Sequence, residues 1–284
     1  MMDLLVSSPT SLVIVSAILG LLVGSFLNVV IYRLPVMMEN QWKLDTGQET
    51  ADTIARFNLI TPASTCPHCQ HKIQPWENIP LLSYLFLRGR CVSCKAPISP
   101  QYPLVELFTA LLSALVAWQL GFGWLLLAAL VFTWTLVALT MIDYNTQLLP
   151  DTLTLPLLWL GLLINSGSGF TDLNSAVWGA AAGYLSLWLV YQLFKLATGK
   201  EGMGYGDFKL LAAIGAWCGW QVLPVTIILS SVIGAITGII MILFKRHQQG
   251  TPIPFGPFLA GAGWISLFWG KDLMEGYLRF AGTG

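Results

Sequence analysis

Apolar residues in this chain come in long runs with few breaks, not in the short alternations of a soluble fold. The runs cover residues 11–31, 104–120, 124–142, 153–164, 176–194, 208–217, 222–244 and 255–269. A straight helical crossing of the hydrocarbon core takes about 20 residues. Most runs reach or approach that length. Runs 153–164 and 208–217 fall short and are expected to be tilted, broken or partly re-entrant. The pattern predicts an all-α polytopic membrane protein with about eight transmembrane helices. One long hydrophilic stretch interrupts it. The expected organisation is a first span within 1–32, a polar insert over 33–103 and a membrane-embedded core over 104–284.

Composition agrees with this. Of 284 residues, 55% are hydrophobic and only 10% charged, against about 25% charged in soluble domains. Net charge is zero, so nothing points to nucleic acid as a partner. The expected surroundings are a lipid bilayer, and the sequence sets no oligomeric state.

Lys and Arg orient the chain. With eight spans and the N-terminus outside, Arg33, Lys43, Arg56, Lys72, Arg88, Arg90 and Lys95 lie in the cytoplasm. Lys195, Lys200, Lys209, Lys245 and Arg246 join them, leaving only Lys271 and Arg279 outside. The first run has no basic n-region and exceeds the usual h-region, so it reads as a retained anchor and not a cleaved signal. Gly179–Gly183 and Gly234–Gly238 are GxxxG patterns, read as close packing within the chain, with dimerisation as the alternative. Cys218 reads as a small core residue.

The insert carries Cys66-Pro67-His68-Cys69 and Cys91-Val92-Ser93-Cys94. Two CxxC knuckles at this separation suit one tetrahedral zinc with four thiolate ligands. The competing reading is a pair of disulfides, which a reducing cytosol disfavours. His68 and His71 are candidate substitute ligands, but four thiols already fill the site. The zinc is therefore expected to be structural, a staple for a segment too polar to build much core.

Carboxylates are costly near hydrocarbon, so each one there is a functional hypothesis. Asp143 closes the run 124–142, and Asp207 follows Gly204-Tyr205-Gly206 just before the run 208–217. The charge bias puts both at the cytoplasmic face. Asp143 sits at a helix C-terminal end, where the dipole disfavours a negative charge, so it is expected to hold a proton shared by the pair. Gly204 and Gly206 are expected to support the second aspartate by letting the backbone bend and another segment approach. Asp151, after Leu149-Pro150, reads as a helix N-cap. Lys209 is expected to snorkel to the interface, with electrostatic tuning of the aspartate pair as the alternative. Glu106, about one turn inside its span, reads as an interfacial charge facing water, with a site role as the alternative. Two close carboxyls sharing a proton would suit an aspartyl protease. A buried structural pair or an ion pathway is the competing reading.

The chain resembles the bacterial type IV prepilin leader peptidases, which also process type II secretion pseudopilins. Four stretches carry the likeness: Gly24-Ser25-Phe26-Leu27-Asn28-Val29-Val30-Ile31-Tyr32-Arg33-Leu34-Pro35, the paired CxxC motifs, Asp143-Tyr144 with Leu149-Pro150-Asp151, and Gly204-Tyr205-Gly206-Asp207-Phe208-Lys209. The resemblance implies an eight-span aspartyl endopeptidase of the bacterial inner membrane, with Asp143 and Asp207 as its dyad and Asp151 outside it. It implies prepilin and pseudopilin substrates whose short basic leader is removed at the cytoplasmic face. It also implies N-methylation of the new amino terminus with S-adenosylmethionine as donor, though no residue of the sequence is assigned to that donor. A presenilin-like GxGD intramembrane protease is the alternative enzyme. A zinc-dependent membrane scaffold or transporter is the alternative without catalysis.

Overall fold

The computed structural model describes residues 8–48, 57–244 and 253–280. Arg56, Lys245 and Arg246, which contribute to the charge bias, lie outside them. Among the described residues the fold is helical, and two isolated bridges, Thr65 with Lys72 and Arg90 with Pro97, are its only extended pairings. The helices are α1 (Pro9–Asp45), α2 (Leu82–Phe86), α3 (Gln101–Leu120), α4 (Trp124–Thr146), α5 (Asp151–Asn165), α6 (Leu173–Thr198), α7 (Tyr205–Cys218), α8 (Leu223–Leu243) and α9 (Gly256–Phe280). Each predicted run sits in a helix, overhanging it by at most one residue at either end. Among the described residues, five helical segments are long and apolar enough to cross a membrane: α1, α3, α4, α6 and Trp220–Leu243. The 14 residues of α7 and the 15 of α5 rise only about 21–23 Å at ~1.5 Å per residue, as their short runs predict.

The chain divides into two compact units, 1–138 and 139–284, with the boundary inside α4. In the first unit, α1 packs along α3 with almost no space between backbones. A Cβ on Gly20 would lie 2.8 Å from the Ala110 Cα, and one on Gly24 would lie 2.8 Å from the Glu106 Cα. Asn28 Nδ2 donates to the Tyr102 carbonyl at 3.1 Å, and Trp134 Nε1 on α4 donates to the Ser113 hydroxyl at 2.9 Å.

The first helix does not stop at residue 32 but runs through Pro35 to Asp45. Proline removes one helical hydrogen bond, and tertiary packing outweighs that loss. Arg33, Leu34 and Pro35 are all buried. The Arg33 guanidinium donates to the carbonyls of Asn58 at 2.8 Å and Pro62 at 2.6 Å, and it lies over the Phe57 ring. A buried guanidinium satisfied by carbonyls thus fixes the start of the insert.

Helix α7 is the core of the second unit, with every residue from Leu210 to Cys218 buried. It is reached on one side by α6, whose Gly179 meets Gly215 backbone to backbone and whose Gly183 would place a Cβ 2.6 Å from the Leu211 carbonyl. The first GxxxG therefore packs within the chain, as predicted. On another side, Gly161 of α5 admits the Trp217 ring, whose indole donates to the Leu157 carbonyl at 2.8 Å. Asn165 Nδ2 donates to the carbonyls of Ala216 and Trp217 at the end of α7. On a third side, Gly263 of α9 accommodates Ile214. The second GxxxG faces α9 and the segment before it, Gly234 against Phe258 and Gly238 against Ile253.

Candidate active site

Asp143 lies in the last turn of α4, and Asp207 in the first turn of α7. Both are buried, at 6% and 8% exposure, and the charge of Asp143 is felt at Asp207. The fold thus brings together the two carboxyls that the sequence singles out. Two carboxyls close together and away from water do not both ionise easily, which is the arrangement that a shared proton requires.

A third element completes the site, and the sequence reading missed it. Gly256, the first residue of α9, donates its backbone N–H to Asp143 Oδ2 at 2.9 Å. A side chain there would put its Cβ 2.6 Å from Oδ2 and 3.1 Å from Cγ. The available signal is Gly256-Pro257, since proline in a first helical turn marks a helix start. Asp143 therefore ends its own helix but faces the N-terminal, positive end of another. This offsets the dipole argument that made it the holder of the shared proton.

Leu149, in the loop between α4 and α5, fills the space between these parts. A Cβ on Gly206 would sit 2.6 Å from the Leu149 Cβ, and one on Gly256 would sit 3.3 Å from its Cδ2. Gly206 is thus a position of close approach. Gly204 is the N-cap of α7, with φ −82 and no atom near its missing Cβ. Neither backbone strain nor crowding accounts for a glycine there.

Two expectations are corrected. Asp151 is not the N-cap of α5. Pro150 holds that position, and the Asp151 side chain makes no cap bond. Instead both its oxygens accept from Lys209 Nζ at 2.7 Å. Lys209, expected to snorkel alone, thereby joins the first turn of α7 to the first turn of α5. A cation two residues from Asp207 on a short helix finds a neighbouring carboxylate before it finds solvent. A second clasp holds the approach to Gly204. Lys195 Nζ donates to Glu201 at 2.8 Å and to the Tyr191 hydroxyl at 3.3 Å, and the ammonium keeps Glu201 below the usual carboxylate range. The Tyr191 ring lies 5.5 Å from Tyr205 and 5.7 Å from Phe208, stacking the end of α6 on the start of α7.

Glu106 is also corrected. It is buried and accepts the Leu81 N–H at 2.9 Å, with the Ser25 hydroxyl as a second partner. It faces α1 and the insert instead of water, because α1 and α3 approach too closely to leave water between them.

The four insert cysteines converge with all sulfurs within 4.8 Å of one another. Cys66 lies 3.8 Å from Cys94, and Cys69 lies 3.9 Å from Cys91, sulfur to sulfur. A tetrahedron with Zn–S of ~2.3 Å has edges of about 3.8 Å, so the cluster could hold such an ion. The two knuckles have the same local form. Cys66 N–H bonds the His71 carbonyl and Cys91 N–H the Ala96 carbonyl, both at 2.9 Å. The residue after each second cysteine, Gln70 or Lys95, turns back with φ +59 or +60. Backbone N–H groups of Cys69 and His68 bring the Cys66 thiol down to about 7, which favours the thiolate that a metal needs, while burial and the neighbouring sulfurs push Cys69 up. His71 does not approach as a ligand; it pairs with Glu77 at 3.0 Å.

Comparison with known proteins matches both parts of the chain. The bacterial peptidase A24 N-terminal domain matches residues 18–120, and the type IV leader peptidase family matches residues 130–239. A prepilin leader peptidase/N-methyltransferase of Stutzerimonas stutzeri is 59% identical over 98% of each chain. Proteins of the same name from Pseudomonas aeruginosa and Neisseria gonorrhoeae are 58% and 53% identical, over 99% and 93% of each chain. No solved structure gives a significant match. The chain belongs to the type IV leader peptidase family.

Proposed function

We propose that this chain is a membrane aspartyl endopeptidase that removes the short basic leader of prepilins and pseudopilins, with Asp143 and Asp207 as its catalytic dyad. The observation that carries the reading is the presence of two buried carboxyls from different helices, close enough that the charge of Asp143 acts on Asp207. Of the pair, the ionised carboxylate takes a proton from the attacking water. The protonated carboxyl hydrogen-bonds the scissile carbonyl and stabilises the oxygen as it gains charge. The proton returns to the leaving amine, so no covalent intermediate forms. Gly256 orients one acid, Gly206 lets Leu149 pack against the first turn of the helix that carries the other, and the Lys209–Asp151 pair ties that turn to α5.

Eight crossings with the N-terminus outside place this dyad at the cytoplasmic face of the bacterial inner membrane. The bias of Lys and Arg supports that orientation. A basic leader stays on the same side by the same rule, so its junction with the pilin's apolar helix meets the dyad. The four cysteines hold one structural zinc, leaving no open position on the metal for water.

The chain is also proposed to N-methylate the new amino terminus, as the names of its relatives indicate. S-adenosylmethionine supplies the methyl group when bound. The test is the intact mass of the product formed from a purified prepilin, with and without S-adenosylmethionine. A product shorter by its leader in both arms, and heavier by one methyl only with the donor, is expected. An uncut prepilin contradicts the peptidase reading, and an unmethylated product contradicts the second activity alone.

A further inference from the structure

The insert exposes several large apolar side chains, and four of them fall within one eight-residue segment. Ile79, Leu82, Leu85 and Phe86 all lie open, Phe86 at 82% and Leu85 at 68%. Contiguous exposed apolar residues rimmed by polar ones mark an interaction surface. Here the rim is basic. Arg88, Arg90 and Lys95 line a concavity together with Phe86 and Leu87. The chain folds back to put them there, with Gly89 N–H bonded to the Tyr84 carbonyl at 2.9 Å and Arg90 N–H to the Leu87 carbonyl at 3.1 Å.

The position of this surface along α3 identifies what covers it. Leu81 N–H is held at 2.9 Å by Glu106, a residue inside the candidate span α3. Glu106 is five residues beyond the helix start at Gln101, or about 7 Å along the axis at ~1.5 Å per residue. Leu81 takes φ +56 and ψ −45 to reach it, a conformation that persists in a leucine only when its surroundings impose it. The segment 79–86 is thereby pinned at the level where α3 enters the membrane, with its apolar residues exposed there and its cations alongside.

We propose that segment 79–90, with Lys95, docks onto the anionic surface of the bilayer that α3 enters. Leu82, Leu85 and Phe86 lie in the interfacial layer, and Arg88, Arg90 and Lys95 meet lipid phosphates. Burial of the apolar side chains supplies sequence-independent affinity. Each cation near an anionic surface adds to it, and this part is sensitive to lipid charge. The docked insert becomes a fixed platform beside the membrane. The inference goes beyond the peptidase reading and uses only α1 and α3 as membrane helices, so the fate of the dyad does not affect it.

The test is hydrogen exchange of the zinc-loaded full chain in nanodiscs of phosphatidylcholine alone and of phosphatidylcholine mixed with phosphatidylglycerol. Exchange over residues 79–90 is expected to be slower by roughly tenfold in the anionic discs. Arg88→Gln, Arg90→Gln and Lys95→Gln together remove that difference, and Leu85→Ser with Phe86→Ser raises exchange in both lipids. The wild-type comparison decides the matter without any variant. Equal exchange in the two lipids overturns the proposal, as does protection that arises only when a prepilin is added.

Discussion

The backbone N–H of Gly256 donates to Oδ2 of Asp143 at 2.9 Å, across 113 positions of sequence. Any side chain at 256 must displace the carboxyl it orients, because its Cβ would fall 2.6 Å from that oxygen. Misplacing a catalytic group by about 1 Å can cost ~100-fold in rate. Gly256→Ala is therefore expected to lower kcat for prepilin cleavage by about that factor, with accumulation in the membrane and zinc content unchanged. Wild-type turnover would show that the contact does not orient Asp143.

The two glycines of the GxGD motif are predicted to behave differently. Gly206→Ala drives a Cβ to 2.6 Å from that of Leu149, so it opens the loop over the site and loses most activity. Gly204→Ala meets nothing and needs no unusual φ. It keeps most of its cleavage rate and costs at most about 1 kcal/mol, the scale of a helix N-cap substitution. Parallel cleavage and thermal-melt measurements on the two variants check this, and equal loss in both would contradict it.

The Asp151–Lys209 pair lies partly in solvent, with side chains 54% and 26% exposed. Such a pair contributes about 0.2–1 kcal/mol, so Asp151→Asn is expected to slow cleavage by no more than about fivefold. Lys209→Gln does the same, and the double variant is no worse than either single one, the mark of two residues acting together. A thousandfold loss in Asp151→Asn would instead place Asp151 in the chemistry.

Metal analysis is expected to find one zinc per chain, lost in Cys66→Ser or Cys91→Ser. Without the staple the knuckles come apart, so chelation is expected to loosen the backbone and speed trypsin cleavage after Lys72, Arg88, Arg90 and Lys95, which are already on the surface, while helical circular dichroism persists. A metal-free wild type, or a protease-resistant chelated one, would contradict the structural role.

Much of this site is legible in the sequence because its cost is written there. A carboxylate at the end of an apolar run stands out, and so do four thiols at knuckle spacing. What escapes is carried by the backbone or by distance. Gly256 acts through a backbone N–H that every residue but proline has, so only the helix start at Gly256-Pro257 hints at it. Asp151 sits where a cap belongs, and only the fold shows that Pro150 takes that place and that Lys209, 58 positions away, takes the carboxylate. The first span is expected within residues 1–32, yet the helix runs on through Pro35, with Arg33 gripping the Asn58 and Pro62 carbonyls. Glu106 reads as exposed because glycines 20 and 24 do not reveal, from sequence, how closely α1 approaches α3.

The central claim is that Asp143 and Asp207 together perform the cleavage. The most direct measurement is single-turnover cleavage of a purified prepilin by wild type, Asp143→Asn and Asp207→Asn, each with zinc content and melting temperature determined. Both variants are predicted to fold and bind zinc as wild type does, and to cleave slower by roughly a thousandfold or more, the scale of lost general acid–base catalysis. Near-normal cleavage by either folded variant would contradict the account.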